Sequence, residues 1–260
     1  MEALIELQDI LVRSEDHLIL DRVSVSFPAG QSTVIMGPSG CGKSTLLKVA
    51  AGLTVPDAGE VLVRGRALAR FTPQRLLELR GSSGFMFQDA ALWANKTIYE
   101  NLALPLQVHR PELPSDRLRE RVLGLLDRLG LAGSAELRPA QMSTGEAKAA
   151  SFLRALILEP SLLFLDEPTP SIDHELLEGM MQMIRELRDR GCTILAVTHD
   201  AHLTSLIASH LVVLKEGRVL EAGDLATVRR SRSREVMAIL SQVLSEAATY
   251  DTDLLDLLGG

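Results

Sequence analysis

A chain of 260 residues, 46% hydrophobic and 23% charged, has apolar material for one large α/β domain or a core domain with a subdomain, and too much to stay disordered. Aromatic residues at 3% and a formal net charge of −7 exclude a stacking platform for single strands and a basic phosphate-binding face, so no nucleic-acid partner is expected. Two cysteines, Cys41 and Cys192, supply neither a disulfide framework nor a clustered zinc site and fit a reducing compartment.

The opening MEALIELQDI has no basic leader ahead of a long apolar stretch, so no secretory signal is expected. Apolar runs such as 162–165 and 211–214 are strand-sized, short of the ~20 residues a spanning helix needs. Short alternating segments at 4–7, 23–27 and 32–36 read as strands, with Pro28-Ala29-Gly30 as the turn before the third. Residues 37–42 break the pattern, and 43–51 have helical composition. A second strand pair is expected at 61–63 and 84–87. From 88 to 160 the texture turns helical: a segment at 98–102, a helix near 115–129 with Leu118, Val122, Leu125 and Leu129 on one face, and a helix at 145–158.

The α/β pattern resumes with LLFLDE at 162–167, a helix over about 175–190, the strand TILAV at 193–197, and a hairpin of 210–215 and 218–222 joined by Glu216-Gly217. Strands alternating with helices predict an α/β fold with a mostly parallel sheet flanked by helices. An antiparallel β portion and an inserted helical subdomain, about 89–160, complete a domain of 1–228. Residues 229–260 read as a basic linker (RRSRSR, 229–234), a short helix near 236–244 and an acidic, leucine-rich tail. In that tail, YDTDLLDLL at 250–258 suits docking on another surface, with a frayed terminus as the alternative. The basic linker reads as a solvated segment or as a contact to anionic lipid headgroups.

The chemistry concentrates in GPSGCGKST, that is Gly37, Pro38, Ser39, Gly40, Cys41, Gly42, Lys43, Ser44 and Thr45, which satisfies the phosphate-loop pattern between a strand and a helix. Small residues let successive N–H groups converge on phosphate oxygens, and the helix N-terminus adds attraction. Lys43 is expected to neutralise the β- and γ-phosphates of ATP and the Ser44 hydroxyl to ligate Mg²⁺. LLFLDE ends its strand with Asp166 and Glu167, where a parallel sheet delivers side chains to its carboxyl edge. Asp166 is expected to hold Mg²⁺ through water, and Glu167 to polarise the water that attacks the γ-phosphate.

With these two motifs in place, the chain resembles the nucleotide-binding subunits of ATP-binding cassette transporters up to about Arg229. Gln88 in MFQD resembles the family's glutamine loop, which implies a link from Mg²⁺ and γ-phosphate to the membrane subunit. MSTGE (142–146) resembles the signature motif through Ser143 and Gly145, with Thr144 and Glu146 in place of the usual glycine and glutamine. Pro170-Ser171-Ile172-Asp173 looks like the loop that crosses to the partner cassette, and His199 resembles the switch histidine. The segment 11–20 lacks the aromatic that usually stacks adenine, which leaves aliphatic contacts such as Val12. The resemblance implies a phosphate-loop NTPase core, ATP hydrolysis, a homodimer of cassettes and a membrane permease subunit.

Within the family, MFQDAALWANKTIYENLALPL (86–106) is similar to cassettes of MCE-type lipid transporters. This implies an MCE-domain substrate-binding protein, a small regulatory protein and a peripheral place on the cytoplasmic face of the bacterial inner membrane. Amino-acid and lipoprotein transporters share parts of the segment, and a soluble cassette ATPase acting on nucleic acid or ribosomes is the rival from another class. His174, His202 and His210 have no metal-ligand spacing and read as surface or cap residues. Met180, Met181 and Met183 read as core.

Overall fold

Alternating apolar and polar residues draw Ala3–Ser14 (β1) and His17–Pro28 (β2) into an antiparallel ribbon, with Leu7 opposite Val25 and Val12 opposite Leu20. The computed structural model describes residues 3–15 and 17–248, with side chains through 241, and they form two compact units. The expected docking tail at 250–258 lies outside the described residues.

The first unit runs to Phe71 and resumes at Thr193. After the ribbon come Ser32–Met36 (β3), Lys43–Ala50 (α1), Ala58–Val63 (β4) and Arg66–Ala67 (β5). The second unit, Thr72–Cys192, holds Pro73–Gly81 (α2), Ser83–Met86 (β6), Ile98–His109 (α3), Ser115–Asp127 (α4), Thr144–Leu156 (α5), Leu162–Asp166 (β7) and His174–Asp189 (α6). The chain then returns to the first unit with Thr193–Val197 (β8), Ala201–Ile207 (α7), His210–Lys215 (β9), Arg218–Asp224 (β10), Leu225–Val228 (α8) and Arg234–Ala248 (α9).

In the first unit, β2, β1, β4 and β5 form an antiparallel sheet. A second sheet puts the wholly buried β3 between parallel β8 and β9, with β10 antiparallel at the edge. All five side chains of β3 and all five of β8 are buried, the unbroken burial of a strand covered on both faces. In the second unit, β6 and β7 pair in parallel, and α3, α4 and α6 pack against α5. The helical stretch expected at 89–160 lies inside this unit. Met180, Met181 and Met183 are buried on α6, as expected of core residues.

Three local expectations fail for identifiable reasons. The strand at 4–7 continues to Ser14 because a bulge near Asp9, whose φ is 54°, breaks the alternation without ending the pairing; the Asp9 N–H donates to Ser24 Oγ. Residues 61–63 and 84–87 are strands but do not pair: β4 joins β1 and β5, whereas β6 joins β7. The segment at 98–102 is the start of a twelve-residue helix that carries Pro105 in its interior. A capping box nucleates that helix: Thr97 Oγ1 accepts from Glu100 N–H, and Glu100 Oε2 accepts from Thr97 N–H.

Candidate functional site

Each unit carries its own set of site residues. In the first, the chain leaves β3 at Met36 and turns through the glycine-rich loop into α1. Gly37 has φ 155°, and a Cβ there would lie 2.0 Å from the Leu214 carbonyl oxygen; at Gly42, φ 103°, it would lie 2.8 Å from that of Ile19. No other residue fits either position, so the loop holds its curvature against the β1–β2 ribbon and the end of β9. The Gly217 N–H donates to the Cys41 carbonyl at 3.1 Å and braces the loop from the β9–β10 turn.

Lys43 is 7% exposed and folds its ammonium over the loop, donating to the carbonyls of Gly37 at 2.8 Å and Pro38 at 3.0 Å. A buried cation and the N-terminus of α1 thus belong to one glycine-rich turn, the local pattern of an anion cradle. Pro38, Ser39 and Gly40 are exposed at its rim, while Ser44 and Thr45 are half-buried in the first turn of α1. Cys41 is buried; burial pushes its thiol up, and the Lys43 charge pulls the other way more weakly. His199 follows β8 by two residues. Ile35 is in register with Val197, so the loop after β3 and the loop carrying His199 leave the sheet at the same edge.

In the second unit, Met86 is in register with Leu165, so Gln88 beyond β6, Asp166 at the end of β7 and Glu167 just after it also share one sheet edge. Asp166 is 1% exposed, and Gln88 is exposed. Glu167 is half-buried with φ 48°, a left-handed conformation for a residue that precedes a proline.

The segment MSTGE closes on itself. Ser143 Oγ accepts from Glu146 N–H at 3.2 Å, and Glu146 Oε2 accepts from Ser143 N–H at 2.8 Å. The S-x-x-E spacing carried this capping-box signal in the sequence. The Glu146 carboxylate therefore satisfies the first turn of α5. Thr144 is exposed, and Gly145 is buried: a Cβ there would lie 2.7 Å from the Ser171 carbonyl oxygen.

Three further residues of α5 act on loops of the second unit. Lys148 donates to the carbonyls of Glu167 and Pro170. Ser151 donates to Ala90 O at 2.6 Å, and Arg154 to Ala91 O at 2.8 Å and Ala90 O at 3.2 Å, just past Gln88. Ala90 and Ala91 are left-handed, φ 63° and 48°. The signal that locates this trio is polar residues at 148, 151 and 154, a helical spacing of three on a helix otherwise largely buried.

One expectation is corrected. Val12 is 6% exposed within the ribbon and pairs with Leu20, so it presents no surface to a base, whereas Leu18 is exposed. Among the described residues no three His, Cys, Asp or Glu side chains form a metal cage.

The family model described as ABC transporter matches residues 20–170, more than half of the chain. This chain belongs to the ABC transporter ATP-binding family. It is 32% identical to the intermembrane phospholipid transport system ATP-binding protein MlaF of Escherichia coli K12, over 97% of this chain and 96% of that one. It is 37% identical to the methionine import protein MetN of Cereibacter sphaeroides and to the sulfate/thiosulfate import protein CysA 2 of Chromobacterium violaceum, over 79% and 84% of this chain but 58% of each importer subunit. The ATP-binding cassette MJ0796, solved as a dimer in a post-hydrolysis state with ADP and phosphate, superposes at a TM-score of 0.78 with 29% identity, over 85% of this chain and 98% of that one.

The cassette therefore has the α/β phosphate-loop fold, a mainly parallel sheet with helices and an antiparallel β portion, and it hydrolyses ATP. Among the described residues no helix of the cassette is long and apolar enough to cross a membrane.

Proposed function

We propose that this ATPase powers phospholipid movement through a membrane permease and an MCE-domain protein, working as a homodimer on the cytoplasmic face of a bacterial inner membrane. The observation that carries the lipid reading is end-to-end similarity to MlaF, over 97% of one chain and 96% of the other, against 58% coverage of the MetN and CysA 2 subunits. Permease docking is supported by exposed apolar side chains in the second unit: Leu77, Val108 and Trp93, the last 56% exposed five residues beyond Gln88.

For turnover, the Lys43 ammonium exchanges the Gly37 and Pro38 carbonyls for oxygens of the β- and γ-phosphates, and backbone N–H groups of residues 39–45 cradle the same group. Glu167 orients the attacking water and takes its proton, and His199 donates to the γ-phosphoryl oxygens. Ser143 and the N-terminus of α5 from the second copy meet the γ-phosphate from the other side. Ser44, Gln88 and Asp166 offer hydroxyl, amide and carboxylate oxygens, the hard donor set that Mg²⁺ takes together with substrate phosphates. When bound, Mg²⁺ neutralises charge on the β- and γ-phosphates.

The test is purification of the full chain with its permease, followed by ATPase assays in phospholipid nanodiscs. The proposal expects an MCE-domain protein to co-purify and a fluorescent phospholipid to be moved in an ATP-dependent way. Methionine-stimulated hydrolysis without an MCE-domain partner would overturn it in favour of an amino-acid importer.

A further inference from the structure

Glu167 occupies a conformation that its own sequence disfavours. A left-handed backbone strains an ordinary residue, and Pro168 further pushes the preceding residue towards extended geometry. Such a conformation persists only where neighbouring structure holds it. The holding contacts come from α5. Lys148, 7% exposed, sends its ammonium to the Pro170 carbonyl at 3.0 Å and the Glu167 carbonyl at 3.4 Å. One turn earlier, Gly145 abuts the backbone of Ser171 and Ile172 so closely that no Cβ fits, and Ser171 is itself left-handed, φ 67°.

Positions 145 and 148 lie on one face of the helix, so a bare backbone and a buried cation meet the same loop over one turn. A lysine there is costly to desolvate, and a packed apolar side chain would serve cohesion better. We propose that Lys148 is a positioning residue for hydrolysis, fixing the backbone of the Glu167–Pro170 segment so that the Glu167 carboxylate stands where it can orient water. This rests on Glu167 serving as the base. Burial lowers the Lys148 ammonium from its ordinary value, and the neighbouring Glu167 carboxylate raises it in turn.

The experiment measures single-turnover hydrolysis of Mg-ATP by the full chain, with equilibrium ATP binding alongside, for Lys148→Met, Lys148→Gln and Lys148→Arg in the native and Glu167→Gln backgrounds. Lys148→Met is expected to slow hydrolysis by about 10–100-fold, as a misplaced catalytic group does, with ATP affinity within twofold of native. Lys148→Arg should recover most of the rate. In the Glu167→Gln background the same change should cost less than about twofold, because the two residues act as one unit. Lys148→Gln, which keeps a donor amide, reports in place of Lys148→Met if the latter does not fold. Equal losses in both backgrounds, or a native rate in folded Lys148→Met, would overturn the proposal. A native rate in Glu167→Gln itself would instead overturn the assignment of the base.

Discussion

At the scale of single residues, the signature departures have opposite structural meanings. Thr144 projects outward from α5, towards whatever approaches the helix N-terminus, whereas Glu146 is folded back onto the Ser143 N–H. The capping carboxylate suits the helix dipole yet leaves a negative charge where the proposed dimer would bring an anionic phosphate. Glutamine closes the same box without the charge. Glu146→Gln should therefore cost only about 0.3–1 kcal/mol of stability, read by urea unfolding, while ATP-driven dimerisation, followed by light scattering, should accelerate. Slower dimerisation would show that the charge assists closure. Lys43→Ala should fail at an earlier step, losing equilibrium binding of Mg-ATP, because it removes the buried cation from the cradle.

At the scale of elements, what was legible depended on whether a local pattern was complete. The strands at 32–36 and 193–197 were readable to the residue because each is an unbroken buried run bounded by a turn signal. The phosphate loop was readable because Gly37 and Gly42 answer backbone demands that no other residue meets. The extension of β1 past Leu7 was hidden by a bulge, and α3 beyond Leu102 by Pro105. The hold of α5 on the loops after β6 and β7 was half legible: polar residues spaced by three at 148, 151 and 154 mark the donors, while the carbonyl acceptors leave no trace in side-chain identity. That hold gives a prediction: Ala91 is exposed and left-handed, with its carbonyl bonded to Arg154. Ala91→Gly should raise unfolding free energy by about 0.5–1 kcal/mol, since relief of the left-handed strain exceeds the added chain entropy. A loss of stability in urea melts would mean that the turn is not strained in solution.

At the scale of the whole molecule, the two thiols report on global unfolding. Cys41 and Cys192 are both buried, and burial pushes the Cys192 thiol up to about 11. At pH 8 that leaves about one thiol in a thousand ionised even before access is considered, so native protein should resist alkylation until unfolding exposes both. Fast labelling of Cys192 under native conditions would show that the second unit opens locally. Lipid specificity has no such structural marker: what bears on it is the likeness of residues 86–106 and the end-to-end match to MlaF.

Glu167, delivered by β7 at the edge shared with Gln88, is the proposed base for ATP hydrolysis. Its most direct test is steady-state ATP hydrolysis by Glu167→Gln beside equilibrium binding of Mg-ATP. The account predicts native affinity, loss of most turnover and accumulation of a closed dimer, because the amide keeps the side chain's shape and loses the proton acceptor. Hydrolysis within twofold of the native rate would contradict it.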